Sequence, residues 1–519
     1  MIKQTVKNYN LWMLAATLCC GLMTTACSDD NDKAAEITDA NRKAASLLPE
    51  ASRDYDKMAD YFQAAIKIAH PHLKEAWNDD VNPEDFNMFY VNEGKTRAYL
   101  INPTTKKEIP QSEWSEQLRA AIRETTSFAH ARQGGVNGTI ILFKFDEFDE
   151  VVKQKKTVFG EKYTLEDYVF ELVALFYHEA FHAYVQNPSR GWNGNGSSSK
   201  DGDSKDYNRN QSYPVDYKPR VYRKMALLAL KAAWDNPAQK DRHYARAKYW
   251  TNKYEKEYPQ EAAGIKKTDI DEGTADFFER NLLHPLFNSK QLHEIDGFHL
   301  AAAVDTESYM SSIAIWLAKR DGRLGKAIAN FKQESQTPIN FLLKDVPVPV
   351  NYDESQDAAD KARVEEMLAK MYDGDSERLL PVKDAVSAHK TGKMIYLGMP
   401  LPSSFYSDDQ GVFDLLELPG YSCALAVTAS TNGFDMNKLT VMSNAYYFLV
   451  PTTDSNNLTV TNVKNVAEGT ASPLPDVTLM QEGRLTAVSG IKGLTLKSLP
   501  ADVSIGKDNY GNTYYLIKR

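Results

Sequence analysis

Apolar residues recur at helical spacing across residues 44–77, at Leu47, Leu48, Met58, Tyr61, Phe62, Ala65, Ile66, Ile68 and Ala69, and predict helices there. Over residues 86–101 the pattern changes to Phe86, Met88 and Tyr90, then Ala98 and Leu100 across Asn92-Glu93-Gly94, which predicts a hairpin. A helix is expected near 112–131. Beyond Gly134-Gly135, residues 139–145 are dominated by β-branched and aromatic side chains and predict a strand. Thr164-Leu165-Glu166-Asp167 carries a capping-box pattern ahead of an apolar run that stops at Asn187-Pro188, so a helix should fill the interval. Residues 189–212 are rich in Gly, Ser, Asn and Asp. They cannot bury enough apolar surface to order themselves and predict an exposed loop or lid. Helical spacing resumes over 220–254, over 271–283 just ahead of Pro285, over 306–319 and over 325–332, followed by an acidic helix near 355–372.

Past about residue 380 the helical periodicity gives way to short β-rich runs at 393–396, 424–428, 439–450, 458–463, 477–480 and 514–517, broken by Asn432-Gly433 and by Pro and Gly turns. The expected fold class is α+β, with a mostly helical domain containing a small mixed sheet over 44–380 and a C-terminal β-rich domain over 381–519. No internal repeat is evident.

The N-terminus has a different character. Lys3 and Lys7 precede an apolar stretch from Leu11 to Met23, and the small residues Thr24, Thr25 and Ala26 lead to Cys27, the parts of a secretory signal. The cysteine after small residues resembles the lipobox of bacterial lipoproteins, although Met23 and Thr24 depart from its commonest form. The acidic start Ser28-Asp29-Asp30-Asn31-Asp32 is similar to that of many Bacteroidetes surface lipoproteins. By that resemblance residues 1–26 are a removable signal, Cys27 carries lipid, residues 27–43 are a tether, and the protein sits at the outer membrane or cell surface.

The strongest chemical signal is His178-Glu179-Ala180-Phe181-His182 within the helix that begins near Thr164. Histidines four residues apart differ by about 400° of helical rotation, so both imidazoles leave one face and can close on a single ion at about 2.0–2.1 Å. Glu179 lies about 100° round the helix from His178, beside the open coordination position, where a carboxylate can take a proton from water. The flanking Val169, Phe170, Leu172, Val173, Ala174, Leu175 and Phe176 make the helix apolar nearly all round, hence buried, and buried histidines require a polar or metallic partner. A catalytic zinc needs a third protein ligand. Glu272, in Asp271-Glu272-Gly273-Thr274-Ala275-Asp276, is the candidate, with Glu261 and Glu279 as rivals. Asp276, four residues on, shares its face and is placed to orient a ligating histidine. Gly273 and Ala275 are small enough to let the two helices approach.

His-Glu-x-x-His followed by Glu-x-x-x-Asp on a later helix resembles the gluzincin zinc metallopeptidases of the zincin-like fold. The likeness covers about residues 139–320, and the long interval between the two motifs departs from the compact members. It implies a Zn2+ cofactor held by His178, His182 and Glu272, with Glu179 as general base and Asp276 orienting a ligand. It further implies a Tyr or His that stabilises the oxyanion, for which Tyr309 is the first choice and His299, Tyr217 and Arg220 remain open. In such enzymes a strand ahead of the metal helix borders the substrate cleft; residues 139–145 could be that strand or an interior one. The substrate would be a peptide or a protein, glycoproteins included.

Composition narrows the alternatives. The 519 residues are 42% hydrophobic and 25% charged, as in ordinary globular protein, and the formal charge of −9 without a basic stripe argues against a nucleic-acid partner. Four cysteines, Cys19, Cys20, Cys27 and Cys423, are too few and too clustered for a disulfide framework. Asp201-Gly202-Asp203-Ser204-Lys205-Asp206 has a lysine at a ligand position and no Glu at the spacing a calcium loop needs. Two other classes stay open: a surface nutrient- or glycan-binding lipoprotein, and a zinc-stabilised adhesin.

Overall fold

The computed structural model describes residues 54–143 apart from 79, 126 and 127, residues 165–193, 216–287 and 307–372, and short stretches beyond 390. The expected signal and tether, Cys27, the start of the expected 44–77 helices up to residue 53, Thr164, His299 and most of the 189–212 segment lie outside the described residues. The chain divides into two compact units, one reaching Val364 and the other running from Glu365 with residues 216–218.

In the first unit, helix α1 (Tyr55–Ala69) is capped by Asp54, whose side chain accepts from the amides of Asp56 and Lys57, and it buries Met58, Tyr61, Phe62, Ala65 and Ile66 on one face. The expected hairpin forms as strands β1 (Met88–Asn92) and β2 (Ala98–Ile101), joined by β3 (Lys106–Ile109) on the outer side. The expected 112–131 helix is shorter: α2 (Glu116–Glu124) starts at Ser115, which caps the Leu118 amide at 3.1 Å. Residues 128–133 form strand β4 (Phe128–Gln133) instead. A Gly134-Gly135 turn, with φ of 57° and 86°, returns the chain as β5 (Val136–Phe143). Two consecutive positive φ values suit a hairpin's right-handed twist, and only glycine adopts both without strain.

The sheet order is β3-β2-β1-β5-β4, with β1 and β5 parallel and the other neighbours antiparallel. Residues 139–143 therefore supply an interior strand, with β4 at the end of the sheet beyond it; residues 144 and 145 of the expected strand lie outside the described residues. Both faces of β5 are covered, which accounts for its unbroken apolar run. Ile140 and Leu142 pack with Phe89, Leu118 and Ile122 on the α2 side, while on the other face Tyr90 meets Phe62 of α1 and Phe143.

Helix α3 (Leu165–Tyr184) crosses that second face. It is followed by α4 (Lys218–Asp235), α5 (Lys240–Glu257), α6 (Lys266–Phe287), α7 (Ser312–Arg320), α8 (Leu324–Lys332) and α9 (Ala358–Tyr372), the last of which contains the division after Val364. Helix α6 begins earlier than 271 and continues through Pro285, because a proline in the final turn removes a single intrahelical bond. The first unit is thus mostly helical with a small mixed sheet, an α+β arrangement. In the second unit seven strands form a sheet in the order Val503–Lys507, Thr513–Ile517, Ile395–Pro400, Tyr447–Thr452, Thr440–Ser443, Tyr421–Ala426 and Phe413–Leu418. No helix among the described residues is long and apolar enough to cross a membrane.

Candidate metal centre

Helices α3 and α6 lie against each other through aromatic contacts. Phe181 stacks on Phe278 with ring centroids 4.6 Å apart, Trp77 meets Phe181 edge-on at 4.9 Å, and Phe86 touches both Tyr177 and Phe278. Leu172, Val173, Phe176, Tyr177, Ala180 and Phe181 are all buried, as the apolar surround of α3 predicted. This packing sets the spacing at which polar side chains of the two helices meet.

His178 and His182 leave α3 on one face, with their Nε2 atoms 3.0 Å apart. Glu272 of α6 brings Oε2 to 3.2 Å from His178 Nε2 and 3.4 Å from His182 Nε2. The three residues form a group able to hold a metal ion. A tetrahedral ion with bonds of about 2.0–2.1 Å spaces its ligands about 3.4 Å apart, so the donors already stand at nearly ligand separation. The two imidazoles are buried, and the Glu272 side chain remains 25% exposed, which leaves one side of the group open.

The outward ring nitrogens are also engaged. His182 Nδ1 donates to Gln186 Oε1 at 2.5 Å, and Gln186 is fixed in turn by donating to Asp271 O and Thr274 Oγ1 at 2.8 and 2.6 Å. With Nδ1 protonated, Nε2 keeps its lone pair for an ion. His178 Nδ1 lies 3.1 Å from Glu279 Oε2. Asp276 was expected to orient a histidine, but it accepts from Arg280 Nε at 2.8 Å instead. Glu279 occupies the orienting place. Residues 272, 276 and 279 share a helix face; the longer glutamate, one turn further along, is the one that reaches His178. Gln186 was missed, although its spacing of one turn beyond His182 was visible in the sequence.

The electrostatics follow from crowding carboxylates and imidazoles out of water. Burial works against a charged His178 and His182, but Glu272, with Glu279 beside His178, more than reverses this, and both imidazoles are raised above the usual histidine value. Burial likewise opposes an ionised Glu272, yet the two histidines hold its carboxyl well below the usual range. Glu179 has no such direct partner among the described residues, and burial pushes it up to about 7 against the pull of both histidines.

The structure brings Tyr309 into this group. Its ring lies 5.3 Å from that of His178, and its hydroxyl bonds the Glu272 side chain. Burial, reinforced by Glu272 and Glu179, keeps the phenol protonated, so it can act as a donor. Tyr309 starts a short turn (Tyr309–Ser311) that closes on α6 at Gly273, where a Cβ would collide with Ser311 Oγ. Gly273 thus admits this turn and not α3, contrary to its expected role.

Two further candidates belong elsewhere. Glu261 pairs with Arg220 and accepts from Tyr254 OH at 3.0 Å. Arg220 also meets Glu307 at 3.3 Å, in a buried cluster completed by Arg223, Lys224 and Asp269. Comparison with protein-family models, curated proteins and solved structures returns no match to this chain.

Proposed function

We propose that the protein is a zinc-dependent peptidase of the zincin-like type, anchored at the outer membrane or cell surface by lipid on Cys27. The observation that carries the reading is the convergence of His178, His182 and Glu272, with Glu179 beside them and one side open. Two imidazoles and one carboxylate in near-tetrahedral spacing suit zinc better than magnesium or calcium, which favour all-oxygen ligands.

A zinc ion bound there would polarise the scissile carbonyl and acidify a water molecule. Glu179 would take the proton from the attacking water and pass it to the leaving amine. Its raised pKa reflects burial, a setting that suits proton transfer near neutral pH. Tyr309 would donate its O–H to the oxygen that gains charge, and Gln186 and Glu279 would hold the two imidazoles in register. Among the described residues β4 has no strand on its outer side, and its backbone groups there are where an extended polypeptide would add as a further strand.

The test is metal analysis of the purified protein, then hydrolysis of casein or a peptide library with and without chelator. One zinc per chain and chelator-sensitive cleavage are expected. Glu179→Gln should lower turnover by about 10²–10⁴-fold while the zinc stays bound. Hydrolysis that survives Glu179→Gln would refute the general-base role, and a metal-free protein that still cleaves would refute the whole reading. A binding protein or adhesin would hold the metal without cleaving.

A further inference from the structure

His130 has a position that the metal group does not account for. It lies on β4, the last strand of the sheet. Successive strand residues face opposite sides. Ala129 and Ala131 pack into the core beneath α2, so Phe128, His130 and Arg132 face the side crossed by α3. The His130 ring meets Tyr184 of α3 edge-on at 6.0 Å, two residues beyond His182. It is also near enough to the metal group that, after burial, His182 is the second influence lowering its pKa, to about 4. The imidazole is therefore neutral at ordinary pH.

Its two nitrogens differ. Nδ1 lies 3.2 Å from Thr139 Oγ1, on the residue directly opposite in the β4–β5 register. That contact orients the ring from a fully buried side chain. Nε2 has no partner among the described residues. A half-buried ring fixed at one nitrogen, with the other unpartnered among the described residues, on the last strand of the sheet and near the metal group, is arranged to meet something that arrives from outside.

We propose that His130 contacts the substrate, its Nε2 hydrogen-bonding a polypeptide laid along the outer side of β4 near the metal group. The inference rests on the peptidase reading and assigns a side chain to it that neither motif contains. The contact would be made through that nitrogen. Thr139 would serve to aim it.

Three variants of the full chain separate this from a packing role, because glutamine places its amide near the position of Nε2 whereas asparagine reaches only as far as Nδ1. The readouts are kcat and KM on a cleaved peptide, bound zinc, and Tm. For a substrate contact, His130→Ala and His130→Asn should each lower kcat/KM about tenfold, through a raised KM, as expected for losing one hydrogen bond. His130→Gln should stay within about threefold of wild type, with zinc and Tm unchanged in all three. Asparagine matching wild type, glutamine no better than alanine, or an alanine variant within twofold of wild type would overturn the proposal. So would a fall in Tm or zinc common to all three.

The peptidase reading fails separately. If the wild-type protein cleaves nothing, binding of a peptide hydroxamate to the zinc-loaded protein replaces turnover, and the same order of variants is expected in Kd. Wild-type protein that neither cleaves peptide nor binds hydroxamate would overturn both readings. Zinc-dependent cleavage that is indifferent to His130 overturns this one alone.

Discussion

Helix α6 carries two buried polar clusters within one turn of each other, and they are satisfied in opposite ways. At Asp269 the helix meets Arg223, which donates from Nη1 and Nη2 at 3.0 and 2.8 Å, while Ser308 Oγ donates to the same carboxylate at 2.7 Å. Arg220, Arg223 and Lys224 face Glu261, Asp269 and Glu307, three cations against three anions. At Glu272 the carboxylates of residues 179, 272 and 279 surround two imidazoles, and the nearest donor atoms point at one another across 3.0–3.4 Å. A buried charge is tolerated when it is paired. The first cluster carries its own counter-charges and is structural. The second is complete only with protons on its histidines or with a cation among them, and that requirement marks it as a site.

If this contrast holds, disturbing the two clusters should have separable consequences. The largest stability effect belongs to the closed cluster: Glu307→Gln, which leaves three cations short of a carboxylate, should cost about 3–5 kcal/mol. Denaturant unfolding should show the same loss with and without chelator. A loss that appears only when metal is present would mean the clusters are not independent.

Next in size is metal linkage at the second cluster. Zinc at about a thousand times its Kd should stabilise the wild-type protein by about 4 kcal/mol, seen as a Tm that rises with metal and falls with chelator. Glu272→Ala should abolish that increment and reduce bound zinc below one per chain. Unchanged zinc would place the third ligand elsewhere.

The smallest effect concerns Glu279, which touches His178 but not the ion. Glu279→Gln should weaken metal affinity by about 10–100-fold in a competition titration with a chromophoric chelator, and leave stoichiometry at one. Asp276→Asn should leave affinity close to wild type, because Asp276 is turned to Arg280. The reverse ranking of these two variants would restore Asp276 to the orienting role.

Much of the site was legible because helical geometry is local. Two histidines four apart on an apolar helix must share a face, and the buried surround of α3 followed from its composition. Strand β4 was also legible in principle: Phe128, His130 and Arg132 alternate with Ala129 and Ala131 before two glycines, a period-two signal that the amphipathic helix just ahead of it obscured. The exchange of Asp276 for Glu279 could not be read. Both lie on the face of Glu272, and only the way α6 packs on α3, set by Phe181 on Phe278 and Trp77 on Phe181, determines which carboxylate meets His178.

The sequence by itself determined most of the described helices but not where the one near residue 116 ends, together with the hairpin at 88–101, the histidine pair with its neighbouring carboxylate, and the presence of acidic candidates on a second helix. Periodicity and residue chemistry act within a few turns of chain, so these needed no fold. The tertiary structure decided which acids meet the histidines, that Tyr309 rather than another donor reaches Glu272, that Gly273 makes room for the turn bearing it, and that β4 is the last strand of the sheet among the described residues. Each of those depends on residues far apart in the chain meeting at a distance fixed by packing, and pattern alone carries no information about that distance.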